Sequence, residues 1–494
     1  MSNSQSQARR IVKHSTIYAA GNVIRQLAGF LMLPIYTRYL TPADYGVVGL
    51  LTFAMAMMEP LFGARLMAAM PKYYFEQDDE KSRNSVISTA LIITGVISAL
   101  TSLVLFFLRD ETSSLLFGTS GHALIVGLFG TLILTQAVEY YGMTFIRIQQ
   151  RPVFFISVSL SKLVLQLALN IGLVVWMQLE VMGVVISGVV SSSVYALGLA
   201  GYMVFKTGTR FDTKLAGAML RFSWPLWFAG LTSLYIYSGN RYYIRIFGSL
   251  SDVGLYELAA KFAAILSFLV WTPFNQFWST ERFNYRNNSD AQKIFSGTAE
   301  FITVLMIAVA LCIGIGAEPV IRIMAAPSFH EAHLAVPLLT IGTLLSCLAT
   351  FTSFSFLVTD RTKELSYISY LTAAIVTVFN LTLIPRFGYI GAAAALTIAL
   401  LCQFIITYRQ GRTLYDMGIR VRQTLLLLAL SCAAFVLSLF VFRSDNIWID
   451  VLLKALLLMM ALAALASIVW TTSPNQDYIK SLVISFKARL PGRT

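Results

Sequence analysis

Apolar stretches of about twenty residues or more recur along almost the whole chain, and they constrain the fold first. A helix rises 1.5 Å per residue, so about twenty apolar residues cross the roughly 30 Å of hydrocarbon in a bilayer. Fourteen such stretches can be drawn: 14–36, 46–70, 86–108, 123–146, 153–176, 183–205, 223–246, 254–277, 293–316, 333–357, 365–384, 390–408, 423–442 and 450–471. No water reaches backbone N–H and C=O groups inside hydrocarbon, so a crossing segment satisfies them internally, as a helix. A membrane β-barrel would instead show segments of roughly ten residues with alternating polarity, and no such pattern is present. Composition agrees, with 57% hydrophobic and 12% charged residues in a chain of 494, against about 25% charged in soluble domains. The expected fold is all-α and integral to the membrane, with about fourteen helices. The connections are too short to house a soluble catalytic domain.

The chain also repeats itself. The stretch from Arg221 to Gly254 aligns with Lys13 to Gly46 at an offset of 208 residues, which pairs Ser15 with Ser223, Asp44 with Asp252 and Gly46 with Gly254. The register holds to Phe75 and Phe283, in PKYYFEQ and STERFNY. Farther on, Asn170 and Leu173 before Met182-Gly183 echo Asn380 and Leu383 before Ile390-Gly391. Spans one to six thus correspond to seven to twelve. Each half has an even number of spans, so both share one orientation, as in parallel-repeat transporters built of two lobes. The expected division is a cytoplasmic N-terminus (1–13), an N-lobe (14–205), a cytoplasmic linker (206–222) and a C-lobe (223–408). Spans thirteen and fourteen (423–471) fall outside the repeat. In the tail (472–494), KSLVISFKARL has the character of a surface amphipathic segment.

The formal net charge of +13 is distributed as a topology signal rather than as a nucleic-acid patch. One set of alternate connections, with both termini, carries 25 lysines and arginines, and the other set carries six. Positive charge stays inside, so both termini are expected in the cytoplasm, with anionic lipid head groups as a secondary attraction. Arg25 interrupts the first apolar stretch, which reads as a retained span rather than a cleaved signal. The four cysteines, Cys312, Cys347, Cys402 and Cys432, lie within apolar spans at no metal-ligand or disulfide spacing. They read as buried structural thiols. His330-Glu331-Ala332-His333 lacks a third ligand, and no GxxxxGK[ST] phosphate loop occurs. Neither a metal cofactor nor direct ATP hydrolysis is expected.

Ionisable residues within spans are costly and by default face a cavity or a partner. They are Arg25, Glu59, Arg65, Glu139, Lys162, Arg241, Glu257, Lys261 and Lys454, with Arg245 at an interface. All but Glu139, Lys162 and Lys454 belong to spans one, two, seven and eight, which are equivalent pairs under the repeat. Asn22, Arg25 and Gly29 share one helical face with Tyr18, and Ser233, Tyr237, Arg241 and Arg245 form a comparable stripe. A guanidinium binds two phosphate oxygens at once, so Arg25, Arg65, Arg241 and Arg245 are candidate pyrophosphate ligands, with Lys261, Asn22 and Tyr237 beside them. The competing reading pairs each arginine with a carboxylate or a head group. Glu257 and Lys261 are spaced as a helical ion pair. Glu59, beside Pro60, is a candidate site for a coupling proton or sodium ion, and Glu139 and Glu257 are the others. Lys162 is placed to reach a carboxylate across its lobe. Lys454 is close enough to a span end to reach the interface.

The opening GNVIRQLAGFLMLPIYTRYLTPADYG, its counterpart GNRYYIRIFGSLSDVGLYELAAKF and the motif NLTLIPRFGYIGAAAALTIAL resemble the polysaccharide flippases. These are the O-antigen, Wzx-type branch of the multidrug/oligosaccharidyl-lipid/polysaccharide exporter (MOP) superfamily. The resemblance covers almost the whole chain. It implies a non-enzymatic transporter of the bacterial inner membrane. The implied cargo is an undecaprenyl-pyrophosphate-linked oligosaccharide, turned to the outer leaflet by alternating access for later polymerase machinery. It also implies a central cationic cavity to which Arg25, as the family's first-helix arginine, belongs. A lipid II flippase and a multidrug or organic-cation antiporter are the alternatives within the superfamily. A membrane glycan polymerase or ligase is the enzymatic rival, but the chain has neither a substantial outer loop nor a catalytic constellation.

Overall fold

The computed structural model describes residues 29, 30, 32–62, 66, 69–442, 444 and 446–472; of residues 59–62, 225, 226, 228 and 229 it describes the backbone alone. The described residues form eighteen α-helices and no strand, as the apolar spans demand. In chain order these begin with α1 (Leu33–Tyr39), α2 (Pro42–Phe62), α3 (Ala69–Phe75), α4 (Glu80–Phe107), α5 (Arg109–Phe117) and α6 (Ala123–Ile148). Next come α7 (Pro152–Asn170), α8 (Glu180–Thr207), α9 (Thr213–Ser238), α10 (Asn240–Phe247), α11 (Leu250–Leu266) and α12 (Thr272–Tyr285). The last of the described helices are α13 (Ala291–Met324), α14 (Val336–Thr352), α15 (Phe354–Val358), α16 (Thr362–Leu414), α17 (Val421–Phe440) and α18 (Ile447–Thr472).

Among the described residues, ten helical segments are long and apolar enough to cross a membrane. One of them, α16, has 53 residues, about 80 Å of helix, and so contains spans eleven and twelve. They join at Gly388, which takes φ +55°, three residues after Pro385. A proline removes a helical hydrogen bond and only glycine adopts this backbone cheaply, so the bend is written in the local sequence. The eighth span, conversely, is longer than its apolar stretch. It runs Leu250–Tyr285 through a π-helical turn, Ser267–Trp271. Between α2 and α3, the Leu66 N–H donates to Tyr141 Oη at 2.5 Å. The seventh span breaks into α9 and α10 at Gly239.

The chain divides into two compact units, Met1–Gly254 and Leu255–Thr494. In the first, α4, α6 and α8 pack side by side. Lipid supplies no hydrophobic drive between helices, so close approach through small residues carries the association. Gly130 rests against the Ser102 carbonyl, and a Cβ at Gly142 would lie 2.6 Å from Leu199 Cβ. Val86, Ile87 and Ala90 of α4 meet Tyr141, Phe145 and Met203 in a fully buried core that also takes in Met219 of α9. Asp79 caps α4 by accepting from the Ser82 N–H at 2.8 Å. Hydrogen bonding from Ser82 holds its carboxyl below the usual aspartate range.

In the second unit, α13 packs against α14, α17 and α18. The ring of Phe435 fills the space that a side chain at Gly314 would need. Lys454 does not reach the interface as its position near a span end suggested. It is 2% exposed, and its ammonium donates to Glu318 Oε2 at 2.6 Å, the Ser438 carbonyl at 2.7 Å and Ser438 Oγ at 3.0 Å. All three ammonium donors are satisfied inside the unit, which offsets the cost of burying the charge. Arg322 adds a contact to the other Glu318 oxygen at 3.9 Å and donates to the Ser444 carbonyl at 3.0 Å. The two helices outside the repeat are thereby tied to α13. The cysteines differ from expectation: all are free thiols, and Cys347 is buried, but Cys312 and Cys432 are exposed on helix surfaces.

Candidate functional site

The repeat is visible atom by atom where spans two and eight begin. Thr41 N and Oγ1 donate to Asp44 Oδ2 at 2.9 and 2.6 Å, and the Asp44 N–H returns a bond to Thr41 Oγ1 at 3.2 Å. At the same offset of 208, Ser249 N and Oγ donate to Asp252 Oδ2 at 3.0 and 2.8 Å, and the Asp252 N–H returns one at 3.1 Å. Both are reciprocal capping boxes, which fix the first turn of a helix. The two turns so fixed are pressed together within the first unit. A Cβ on Gly46 would fall 1.9 Å from the Leu250 carbonyl oxygen, and one on Gly254 would fall 1.9 Å from that of Pro42. Pro42 and Leu250 are themselves repeat equivalents. Two like helix starts therefore cross about a local twofold, glycine against backbone. The later repeat motif behaves alike: Gly183 sits on the carbonyl of Leu173, and Gly391 on that of Leu383.

Beside this crossing stands the seventh span. Where α9 gives way to α10 at Gly239, Arg241 Nη1 donates to the Tyr237 carbonyl at 3.1 Å. Arg241 is half-buried and Tyr237 exposed, while Tyr235 and Tyr243 join hydroxyls at 2.9 Å and Tyr242 stacks on Phe53 of α2 at 6.4 Å. One turn on, Arg245 has a different placement. Its Nη2 donates to the Ser114 carbonyl at 3.4 Å, and its guanidinium lies over Gly118, the left-handed residue that ends α5. A cation at a helix C-terminus meets the negative end of the helix dipole. The structure thus separates the two arginines of the stripe: Arg241 faces a polar, tyrosine-rich break and Arg245 braces a loop.

On α11, Glu257 is buried and Lys261 half-buried, one turn apart. Glu139 and Lys162 find each other across the first unit at 2.5 Å, with Ser192 Oγ accepting from the same ammonium at 3.0 Å. That pair joins three helices, α6, α7 and α8. Asn22, Arg25 and Arg65 lie outside the described residues, and Glu59 belongs to α2 with only its backbone described. Two constellations were not singled out from the sequence, the Glu318–Lys454 network and the paired glycines. The glycines had a signal, their equal place in the repeat, but nothing local told that the two would touch.

A family model described as polysaccharide biosynthesis protein matches residues 11–278, more than half of the chain and all three spans that carry the candidate arginines. The chain belongs to the polysaccharide biosynthesis protein family. Among curated protein sequences none matches it. Among solved structures, the chain resembles a lipid II flippase, MurJ, in an inward closed conformation, at 15% identity and a TM-score of 0.71, covering 94% of this chain and 100% of that one. It also resembles a multidrug resistance MATE family transporter of the MOP superfamily in an inward-facing conformation, at 15% identity and a TM-score of 0.61, covering 82% and 96%. At such identities these likenesses report the fold. This polysaccharide biosynthesis protein is a multi-pass membrane protein with the fold of the MOP flippases and transporters.

Proposed function

We propose that this polysaccharide biosynthesis protein flips an undecaprenyl-pyrophosphate-linked oligosaccharide from the cytoplasmic to the outer leaflet of the bacterial inner membrane, with both its termini in the cytoplasm. The observation that carries the reading is the family match over residues 11–278, which spans the charged helices one, two, seven and eight. The chemistry required is transfer without covalent change. A pyrophosphate must leave water for a polar cleft while the polyprenyl tail stays in lipid. Guanidinium groups suit the pyrophosphate, because their fork of donors matches paired oxygens in a way that a lysine ammonium does not. Arg25 takes the central role, with Arg241 and Arg65 beside it and Asn22, Tyr237 and Lys261 completing a polar wall. Arg245, already bonded to the Ser114 carbonyl, serves the cargo only when that contact opens.

Alternating access needs a free-energy difference between facing states that cargo or an ion biases. Glu59 and Glu257 are the acids proposed to bind a coupling proton or sodium ion. Glu139, neutralised by Lys162, is the weaker candidate. The outward product feeds a polymerase that joins oligosaccharide units. In a deletion strain complemented at matched expression, Arg25→Ala should abolish surface glycan with the protein still inserted, and Arg25→Lys should restore part of it. Full display with Arg25→Ala would refute the phosphate-anchor role. Loss of viability rather than of surface glycan on deletion would replace this reading with the lipid II flippase.

A further inference from the structure

The connection between spans twelve and thirteen builds a site that the transport reading does not use. Helix α16 ends at Leu414 and α17 begins at Val421, and the residues between are pinned at every turn. The Gly418 N–H donates to Asp416 Oδ1 at 2.9 Å, Tyr408 Oη to the Ile419 carbonyl at 3.1 Å, and Ser355 Oγ to the Tyr415 carbonyl at 2.9 Å. Tyr415 Oη in turn donates to the Arg286 carbonyl at 3.1 Å. Against the last turns of α16 this loop encloses a cavity of about 670 Å³, within the range of sites that hold small amphiphiles.

Its two sides differ in chemistry. Leu401, Ile405 and Leu425 give an apolar wall on two membrane-crossing helices, and Arg409, Arg412, Arg420 and Arg422 surround the polar end. Asp416 neutralises only Arg412, at 3.6 Å. Arg409, Arg420 and Arg422 have no carboxylate partner among the described residues. Glu300 on α13, across from the start of α17, accepts from Gln423 Nε2 at 2.7 Å. Three uncompensated guanidiniums on one apolar-walled cavity call for an anion that carries its own hydrocarbon.

We propose that this cavity binds the phosphate head group of an anionic phospholipid, with the acyl chains along the Ile405 and Leu425 wall. A free phosphate would satisfy the arginines but leave that wall in water. A zwitterionic lipid would bring a second cation into a field already three charges positive. A basic pocket between membrane helices at the arginine-rich face is the setting in which such head groups are held. The proposal is independent of which glycan the protein carries.

The test is native mass spectrometry of the full-length protein titrated with dioleoylphosphatidylglycerol, dioleoylphosphatidylcholine or glycerol phosphate. The protein should bind phosphatidylglycerol preferentially, and added salt should weaken that binding in the parent protein. A triple variant, Arg409→Gln, Arg420→Gln and Arg422→Gln, should lose affinity roughly a hundredfold. Arg361→Gln, an exposed arginine paired with Glu364 at 3.2 Å, should bind as the parent does. Equal retention of phosphatidylglycerol by the triple variant would overturn the site. So would phosphatidylcholine binding as tightly, which marks a general lipid groove, or glycerol phosphate competing at similar concentration, which marks a soluble-anion site. If the triple variant does not fold, salt-insensitive binding by the parent overturns the proposal on its own.

Discussion

Gly46→Ala adds one methyl group at one of the two tightest glycine–backbone contacts among the described residues. Its Cβ would sit 1.9 Å from the Leu250 carbonyl oxygen, where ordinary contact begins at 3.4 Å. The obstacle is backbone, held by its own capping box, and no flexible side-chain tip is there to swing away. The two helix starts must therefore separate by about 1.5 Å, and Gly254→Ala imposes the same demand from the other side. Overpacking of this kind costs typically ~1–3 kcal/mol, which lowers the population of the closed crossing by roughly 5- to 150-fold. Hydrogen–deuterium exchange reads that opening directly. Amides of residues 44–48 and 252–256 should exchange faster in either variant by a factor in that range. Gly201→Ala on α8, where an added Cβ meets nothing within 4 Å, should leave them unchanged. Unaltered exchange in both crossing variants would refute the argument that these glycines hold the helix starts together. A second-order check is available, because residues in contact are non-additive. Once one alanine has parted the helices, the second should add less than the first.

Lys454→Met should destabilise the protein by ~3–5 kcal/mol, because it leaves Glu318 buried with weaker partners; thermal unfolding in detergent checks this, and Glu318→Leu added to it should restore much of the loss. Cysteines placed at Lys81 and Thr213 in a background without the native thiols should resist an impermeant reagent in intact cells, while one at Ser120 should react; labelling at Lys81 would reverse the proposed orientation. Glu59→Gln should slow transport and flatten its dependence on an ion gradient, while Glu139→Gln should lower stability by disturbing Lys162 without flattening it. Asp79 has a lowered pKa in the fold, so its cap is fully present above the ordinary aspartate value of 3.8 and is lost as pH falls through the lowered value. Exchange of the amides at 81–83 should rise in that acid window, and Asp79→Asn, also a competent cap, should remove the pH dependence.

The fold was legible in the sequence because its cause is local. Apolar length alone dictates crossing helices, and an offset of 208 residues pairs Asp44 with Asp252, which the structure finds in like turns with Thr41 and Ser249. The bend at Gly388 follows from proline and glycine three residues apart. What could not be read was pairing between helices distant in sequence. Lys454 lies near a span end, so local reasoning sent it to the interface, but its partner Glu318 is 136 residues away. Glu139 and Lys162 were expected only to be within reach of opposite charge somewhere, and their contact depends on the packing of α6 against α7. Arg241 and Arg245 share a helical face by spacing, yet one meets a broken helix and the other a loop. Periodicity reports which residues share a face, and the neighbours decide what that face meets.

Transport of the lipid-linked cargo is the central claim, and reconstitution tests it most directly. The purified protein would be placed in liposomes carrying a fluorescent oligosaccharide on a short polyprenyl pyrophosphate, and an impermeant quencher would report the fraction remaining in the outer leaflet. The wild-type protein should move the probe between leaflets well above the rate in empty liposomes, and Arg25→Ala should return it to that background. Wild-type protein that moves the probe no faster than empty liposomes would contradict the flippase assignment, and Arg25→Ala moving it at the wild-type rate would contradict the anchoring role of the arginine.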